Sequence, residues 1–254
     1  MEQRKIIAII QARMSSSRLP GKVLINIEGK SVLEHVYDRV KHAESIDEII
    51  VATSLNQEDD AIEDLCQSKK INIFRGSLDD VLGRFYQCAK ENNASHVLRI
   101  TADCPMLDPK ILSHVISVGS LNNFDCYGIG GSFPDGLDCT LLSMHALSEA
   151  FFNAHLDSDR EHVCPYIERN PNKFKCGSYN PFSNHQHLRW TLDEERDLQF
   201  IKKIYKSLYS PDKIFYSDDI LKLLSQNPEL TKINSNIIRN EGYLKSLKKD
   251  NARK

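Results

Sequence analysis

Hydrophobic and polar positions fall along this chain in two alternating kinds of block. Residues 6–10, all isoleucine apart from Ala8, form an apolar run with no polar interruption, which predicts a strand covered on both faces, as in the middle of a parallel sheet. Further on, Val32, Leu33, Val36, Tyr37 and Val40 share one helical face, and Ser31 and Glu34 stand at capping-box spacing before it. The alternation continues with strands over 48–53, 71–74, 94–100 and 123–127, and with helices over 58–68, up to 90 through Tyr86, 109–118 and 144–155. Short strands are predicted at 174–179 and 187–191, and helices at 198–208 and 217–225. Strand and helix in turn predict an α/β fold, a Rossmann-like, mostly parallel sheet with helices on both faces. Residues 1–240 read as one domain; the lysine-rich residues 241–254 read as a frayed helix or a disordered end.

Composition narrows the function classes. With 41% hydrophobic and 27% charged residues the chain is ordinary for a soluble globular protein. A formal net charge of −2 argues against a general nucleic-acid binder, so any anion site must be local. No apolar run approaches the length of a membrane span, and no secretion signal is expected at the start. The seven cysteines are scattered and never spaced Cys-x-x-Cys, which fits reduced thiols and a cytoplasmic location. The nine histidines contain no zinc signature.

Candidate chemistry begins where the first apolar run stops. The following loop carries Arg13, Arg18 and Lys22 as cations, Ser15, Ser16 and Ser17 as hydroxyls, and Gly21. Guanidinium forks, a lysine point charge and hydroxyls together suit phosphate oxygens, and the carboxyl edge of an open α/β sheet is where such folds bind ligands. The loop is not a Walker A motif, which would require Gly at position 16 and a hydroxyl at Val23. Arg75 and Arg84 flank the end of the third strand at the same edge, and Asp79 or Asp80 offers a cap for the next helix. Asp103 follows the fourth strand, with Pro105 blocking a helix until Asp108, so its carboxylate is expected in the same crevice as a Mg²⁺ ligand. Asp193 stands at a strand-to-helix turn, where an N-cap role is the plain alternative. Trp190 reads as a packing residue.

The ordered string Gln11-Ala12-Arg13-Met14-Ser15-Ser16-Ser17-Arg18-Leu19-Pro20-Gly21-Lys22-Val23-Leu24 resembles the N-terminal signature of cytidylyltransferases that make CMP-activated acidic sugars, and is most similar to the spore coat polysaccharide biosynthesis protein F branch. The resemblance covers about residues 5–201. It implies that Gln11, Ala12, Arg13, Ser15, Ser16, Arg18, Gly21 and Lys22 bind the nucleotide, with Arg13, Arg18 and Lys22 as the catalytic cations. It further assigns Arg75, Asp80 and Arg84 to the nucleotide pocket, and Thr101, Ala102 and Asp103 to the metal-binding motif, with Asp193 as the second metal ligand. The glycine-rich run ending in Asp135-Gly136-Leu137-Asp138 resembles an acceptor-sugar loop, although Thr140 stands where that branch carries an acidic residue. Arg160, Glu161 and His162 match a branch signature near the acceptor. CTP, a small sugar acceptor, Mg²⁺ and a homodimer are the implied partners, with neither nucleic acid nor membrane insertion. Other readings remain open: another triphosphate with a sugar or polyol phosphate, a glycosyltransferase, or a nucleotide-sugar binding module on the same fold.

Overall fold

The computed structural model describes residues 4–252. The first strand, β1 (Ile6–Gln11), is central and feeds the cationic loop, which closes in a short 3-10 turn (Lys22–Leu24). A small hairpin, β2 (Asn26–Ile27) with β3 (Lys30–Ser31), leads into α1 (Val32–Lys41). Its predicted capping box forms: the Glu34 N–H donates to Ser31 Oγ at 3.2 Å, and the Ser31 N–H donates to Glu34 Oε2 at 2.8 Å. Then follow β4 (Glu48–Ser54), α2 (Asp60–Lys69), β5 (Asn72–Gly76), α3 (Val81–Glu91), β6 (His96–Thr101) and α4 (Pro109–Leu121). The second half contains β7 (Cys126–Ile129), β8 (Thr140–Ser143), α5 (Met144–Asn153), α6 (Asp157–His162), α7 (Pro165–Glu168) and β9 (Cys176–Tyr179). It finishes with α8 (Glu195–Leu208), α9 (Ser217–Gln226) and α10 (Glu241–Ala252).

Seven strands form one sheet in the order β5-β4-β1-β6-β8-β7-β9. The β1, β4, β5 and β6 strands are mutually parallel, β8 runs antiparallel to both β6 and β7, and β9 is parallel to β7. The unbroken apolar run of β1 divides as expected between two layers: Ile6, Ala8 and Ile10 pack with α1, α4, α8 and α9, whereas Ile7 and Ile9 pack with α3 and α5. Because these four parallel strands end in the same direction and β1 neighbours β6, the loops after β1 and β6 emerge side by side. Among the described residues, no helix is long and apolar enough to cross a membrane.

One expectation fails. Residues 187–191 form no strand. Arg189 makes a single bridge to Asp135, in which the Trp190 N–H donates to the Asp135 carbonyl at 2.6 Å. The facing segment turns at Gly131 (φ 73°) and Gly136 (φ 106°), and a Cβ at Gly136 would lie 2.5 Å from the Thr191 nitrogen, so the pairing stops at that one parallel bridge. Residues 241–252, expected as a frayed helix or a disordered end, make the helix α10, docked on α6, while residues 253 and 254 lie outside the described residues. Its anchors are long-range bonds, Asp250 Oδ1 accepting from the Ser158 N–H at 3.3 Å and Ser246 Oγ bonding across to α6.

Candidate functional site

The loop after β1 is shaped before any side chain reaches the cavity. The Met14 carbonyl accepts from the Ser16 and Gly21 N–H groups at 2.8 and 2.9 Å, and Gly21 takes φ 69°, a left-handed value that a side chain would strain. The Met14 N–H donates to Asp59 Oδ1 at 2.6 Å, and Asp59 Oδ2 accepts from Ser54 Oγ at 2.5 Å. Asp59 is fully buried and ties the loop to β4. Sequence reading missed it, because an acidic residue opening a polar helix looks like ordinary surface charge.

On this support Lys22 is held inward. Its Nζ donates to Asp103 Oδ2 at 2.6 Å and to Asp193 Oδ1 at 2.8 Å, bringing together residues far apart in sequence. Burial works against the ammonium, but the two carboxylates outweigh it and raise the Lys22 pKa above the usual 10.5. Burial likewise opposes the Asp193 carboxylate, and Lys22 with Arg18 and Arg189 overcomes it, lowering that pKa to about 2. The Leu192 N–H donates to the Asp103 carbonyl at 2.8 Å, which ties the two aspartate-bearing segments together. Asp193 does not cap α8. Glu194 stands at the N-cap and Asp197 Oδ2 accepts from the Asp193 and Glu194 N–H groups at 2.9 and 3.0 Å, so the Asp193 carboxylate is free to face the loop. Arg18 reaches the same group, with Nη2 3.0 Å from Asp193 Oδ2 and Nη1 2.7 Å from Glu241 Oε2.

These groups line a cavity of about 390 Å³. Of the residues named from the sequence, Gln11, Ala12, Arg13, Ser16, Arg18, Lys22, Arg84, Thr101, Ala102, Asp103, Glu161, His162 and Asp193 line it. Ser17 does so as well. Arg84 is buried rather than solvated; Nη1 donates to the Ser77 carbonyl at 2.6 Å and Nε has no partner. Burial, then the neighbouring Arg13 charge, push its pKa down to about 10, so it stays cationic at neutral pH. Two guanidiniums held near each other favour an anion between them. The buried Gln11 Oε1 also lacks a partner.

The other predicted residues lie outside the cavity lining. Arg75 pairs with Asp60 at 2.7 Å and Glu63 at 2.5 Å and donates to the Ser54 carbonyl at 2.8 Å, which spends its fork on α2 and β4. Asp80 caps α3, accepting from the Gly83 N–H at 2.8 Å, and its other oxygen pairs with Arg160, so each occupies the other. Asp135 is buried against Arg189, and Asp138 accepts from the Gly136 N–H at 3.2 Å. Neither Ser15 nor Gly21 lines the cavity, although Gly21 shapes the loop. Arg189, absent from the sequence reading, bonds Asp135 at 2.6 Å, Asp193 at 2.7 Å and Asp197 at 2.9 Å and so aims Asp193.

Among the described residues there is no group of three or more His, Cys, Asp or Glu that could hold a metal ion. Asp103 and Asp193 nevertheless converge on one point beside three cations. Two carboxylates suit a hard divalent cation whose remaining ligands are phosphate oxygens and water.

A cytidylyltransferase family model matches residues 7–236. The chain is 31% identical to the spore coat polysaccharide biosynthesis protein SpsF of Bacillus subtilis, over 88% of this chain and 95% of that protein. It is 37% identical to an uncharacterized protein, MJ1063, of Methanocaldococcus jannaschii, over 94% and 98% respectively. The solved structure of a cytidylyltransferase from Leptospira borgpetersenii is similar with a TM-score of 0.86 at 28% identity, covering 93% of this chain and 99% of that one. The expected resemblance and the mostly parallel α/β sheet both hold, and the chain belongs to the cytidylyltransferase family.

Proposed function

We propose that the protein transfers a cytidylyl group from CTP to a sugar, an acidic sugar foremost, with release of pyrophosphate, and that the product feeds surface polysaccharide or glycan synthesis. The observation that carries this reading is the Lys22 ammonium seated between Asp103 and Asp193 on a cavity also lined by Arg13 and Arg18. Nucleotidyl transfer asks the protein mainly to position reactants and to neutralise phosphate charge. Lys22 is fixed at both carboxylates and held protonated, so its charge is preorganised where the bond to the departing pyrophosphate breaks. Arg13 and Arg18 offer paired donors to phosphate oxygens. Glu161 and His162 line the same cavity, and we assign them to the acceptor. Asp103 and Asp193 are the residues that would hold Mg²⁺, which supplies further charge neutralisation when bound.

The test is pyrophosphate release with Mg²⁺ and CTP, UTP, GTP or ATP, each against a panel of acidic sugars and sugar phosphates, with Asp103→Ala as the blank. Release with CTP and one acidic sugar, lost in the blank, supports the reading. Turnover with a different triphosphate, or transfer from an intact nucleotide-sugar without pyrophosphate, replaces it.

A further inference from the structure

The last helix, α10, lies beyond the residues that match the family, yet one of its faces borders the cavity. Glu241, Lys245 and Lys249 recur every fourth residue, the spacing that aligns side chains along a helix, and all three line the cavity. The adjacent stripe does the anchoring. Ser246 Oγ donates to Glu161 Oε2 at 2.5 Å and sits 3.1 Å from His162 Nε2, and the Tyr243 ring meets that of His162 edge-on at 5.1 Å. The helix is therefore held with its charged stripe toward the cationic loop.

Within that stripe one carboxylate occupies two cations. Glu241 Oε2 is 2.7 Å from Arg18 Nη1, and Glu241 Oε1 is 2.6 Å from Lys245 Nζ. This is the geometry of an anion-binding pair already bridged by an acid, and Lys249 stands one turn further along the same line. We propose that Lys245 and Lys249 bind the phosphate groups of the substrate together with Arg18, and that Glu241 holds their place until those phosphates arrive. The inference rests on the nucleotide reading of the cavity. It adds two binding residues from outside the family match and gives Glu241 the role of a competitor.

A helix that merely braces α6 and a helix that binds phosphate differ in the sign of one effect. Inorganic pyrophosphate titrated calorimetrically into the full chain, without added metal, reads the site independently of turnover. Lys245→Gln with Lys249→Gln is expected to weaken pyrophosphate about tenfold, since each exposed charge near an anion contributes about a fewfold. Glu241→Gln is expected to tighten it about threefold, because the competing carboxylate is gone. All three side chains are at the surface of the cavity, so the thermal midpoint of the unliganded variants should stay with that of the unaltered chain. If the lysine variant binds pyrophosphate like the unaltered chain, or the unaltered chain does not bind it, the proposal falls. It falls equally if Glu241→Gln weakens binding, which would make the Arg18 contact a brace. Should the opposite-signed pattern appear without CTP turnover, the α10 site stands and the cytidylyl reading is the part that fails.

Discussion

Two networks of aspartate and basic side chains meet at Asp193, and they behave as opposites. Around Arg189, Asp135, Asp193 and Asp197 fill the guanidinium, while Asn234 Nδ2 donates to Asp197 Oδ1 at 2.9 Å and to the Arg189 carbonyl at 3.0 Å. The Arg189 and Asp197 side chains are 5% and 0% exposed, and nothing can enter there. Around Lys22, aspartates again meet a basic side chain at similar distances, yet Asp103 and Asp193 keep 26% and 21% of their side-chain surface and open onto the cavity. Residue type does not separate a brace from a binding site. Access does: the first network is closed by its own partners, and the second is closed by opposite charges that a substrate could replace.

The sharpest way to break this contrast is to remove each basic centre. Arg189→Leu abandons buried carboxylates, and a broken buried pair costs about 3–5 kcal/mol. Urea unfolding should show a loss of that size. Lys22→Ala should instead cut the rate of pyrophosphate release about 10²- to 10³-fold, as for a lost charge-stabilising donor, with a smaller drop in the urea midpoint, because water reaches the carboxylates it leaves behind. Equal stability losses in the two variants would erase the distinction.

The closed network should also mark itself in pH. Burial, then the nearby Asp138 charge, raise the Asp135 pKa from 3.8 to about 6; Arg189 opposes this but divides its charge among three carboxylates. Between those values the folded chain holds a proton that the unfolded chain has released, so this group's contribution to stability declines as pH rises through that window. Relative to Asp135→Asn, the unaltered chain should lose up to about 3 kcal/mol of unfolding free energy from about pH 4 to pH 7. A difference of the opposite sign would mean that Arg189 fully compensates Asp135.

The open network was far easier to read in the sequence than the closed one. An apolar run between two buried layers, a cationic loop at its end and an aspartate past a neighbouring strand are local signals, and topology alone brings their ends together. Of the partners of Arg189, Asp193 and Asp197 stand four and eight residues along the chain but Asp135 is 54 residues away, and no periodicity announces a shared guanidinium. The resemblance assigns Asp135 and Asp80 to ligands, and in the structure each carboxylate pairs with an arginine. The role of α10 was hidden for the same reason. Its lysines look like a solvated tail until Ser246 and Asp250 are seen bonding to α6.

The smallest expected effect tests how far the open network extends. Ser246 is buried at 2% exposure, and its hydroxyl holds Glu161 at 2.5 Å while facing His162 at 3.1 Å. Burial lowers the His162 pKa below its usual 6.5, which favours the neutral ring and a hydrogen bond with the hydroxyl. Glu161 Oε1 lies 4.0 Å from Arg13 Nη2, just at the limit of an ion pair. Without the hydroxyl, Glu161 is released to close on Arg13 and compete for a cation that we propose binds the substrate. Ser246→Ala should therefore cost about 1 kcal/mol, the usual worth of one such hydrogen bond, and appear as a several-fold rise in KM with kcat nearly unchanged. A fall in kcat with constant KM would instead place Glu161 or His162 among the groups that act on the reacting atoms, and the open network would then reach from the loop after β1 across the cavity to α6.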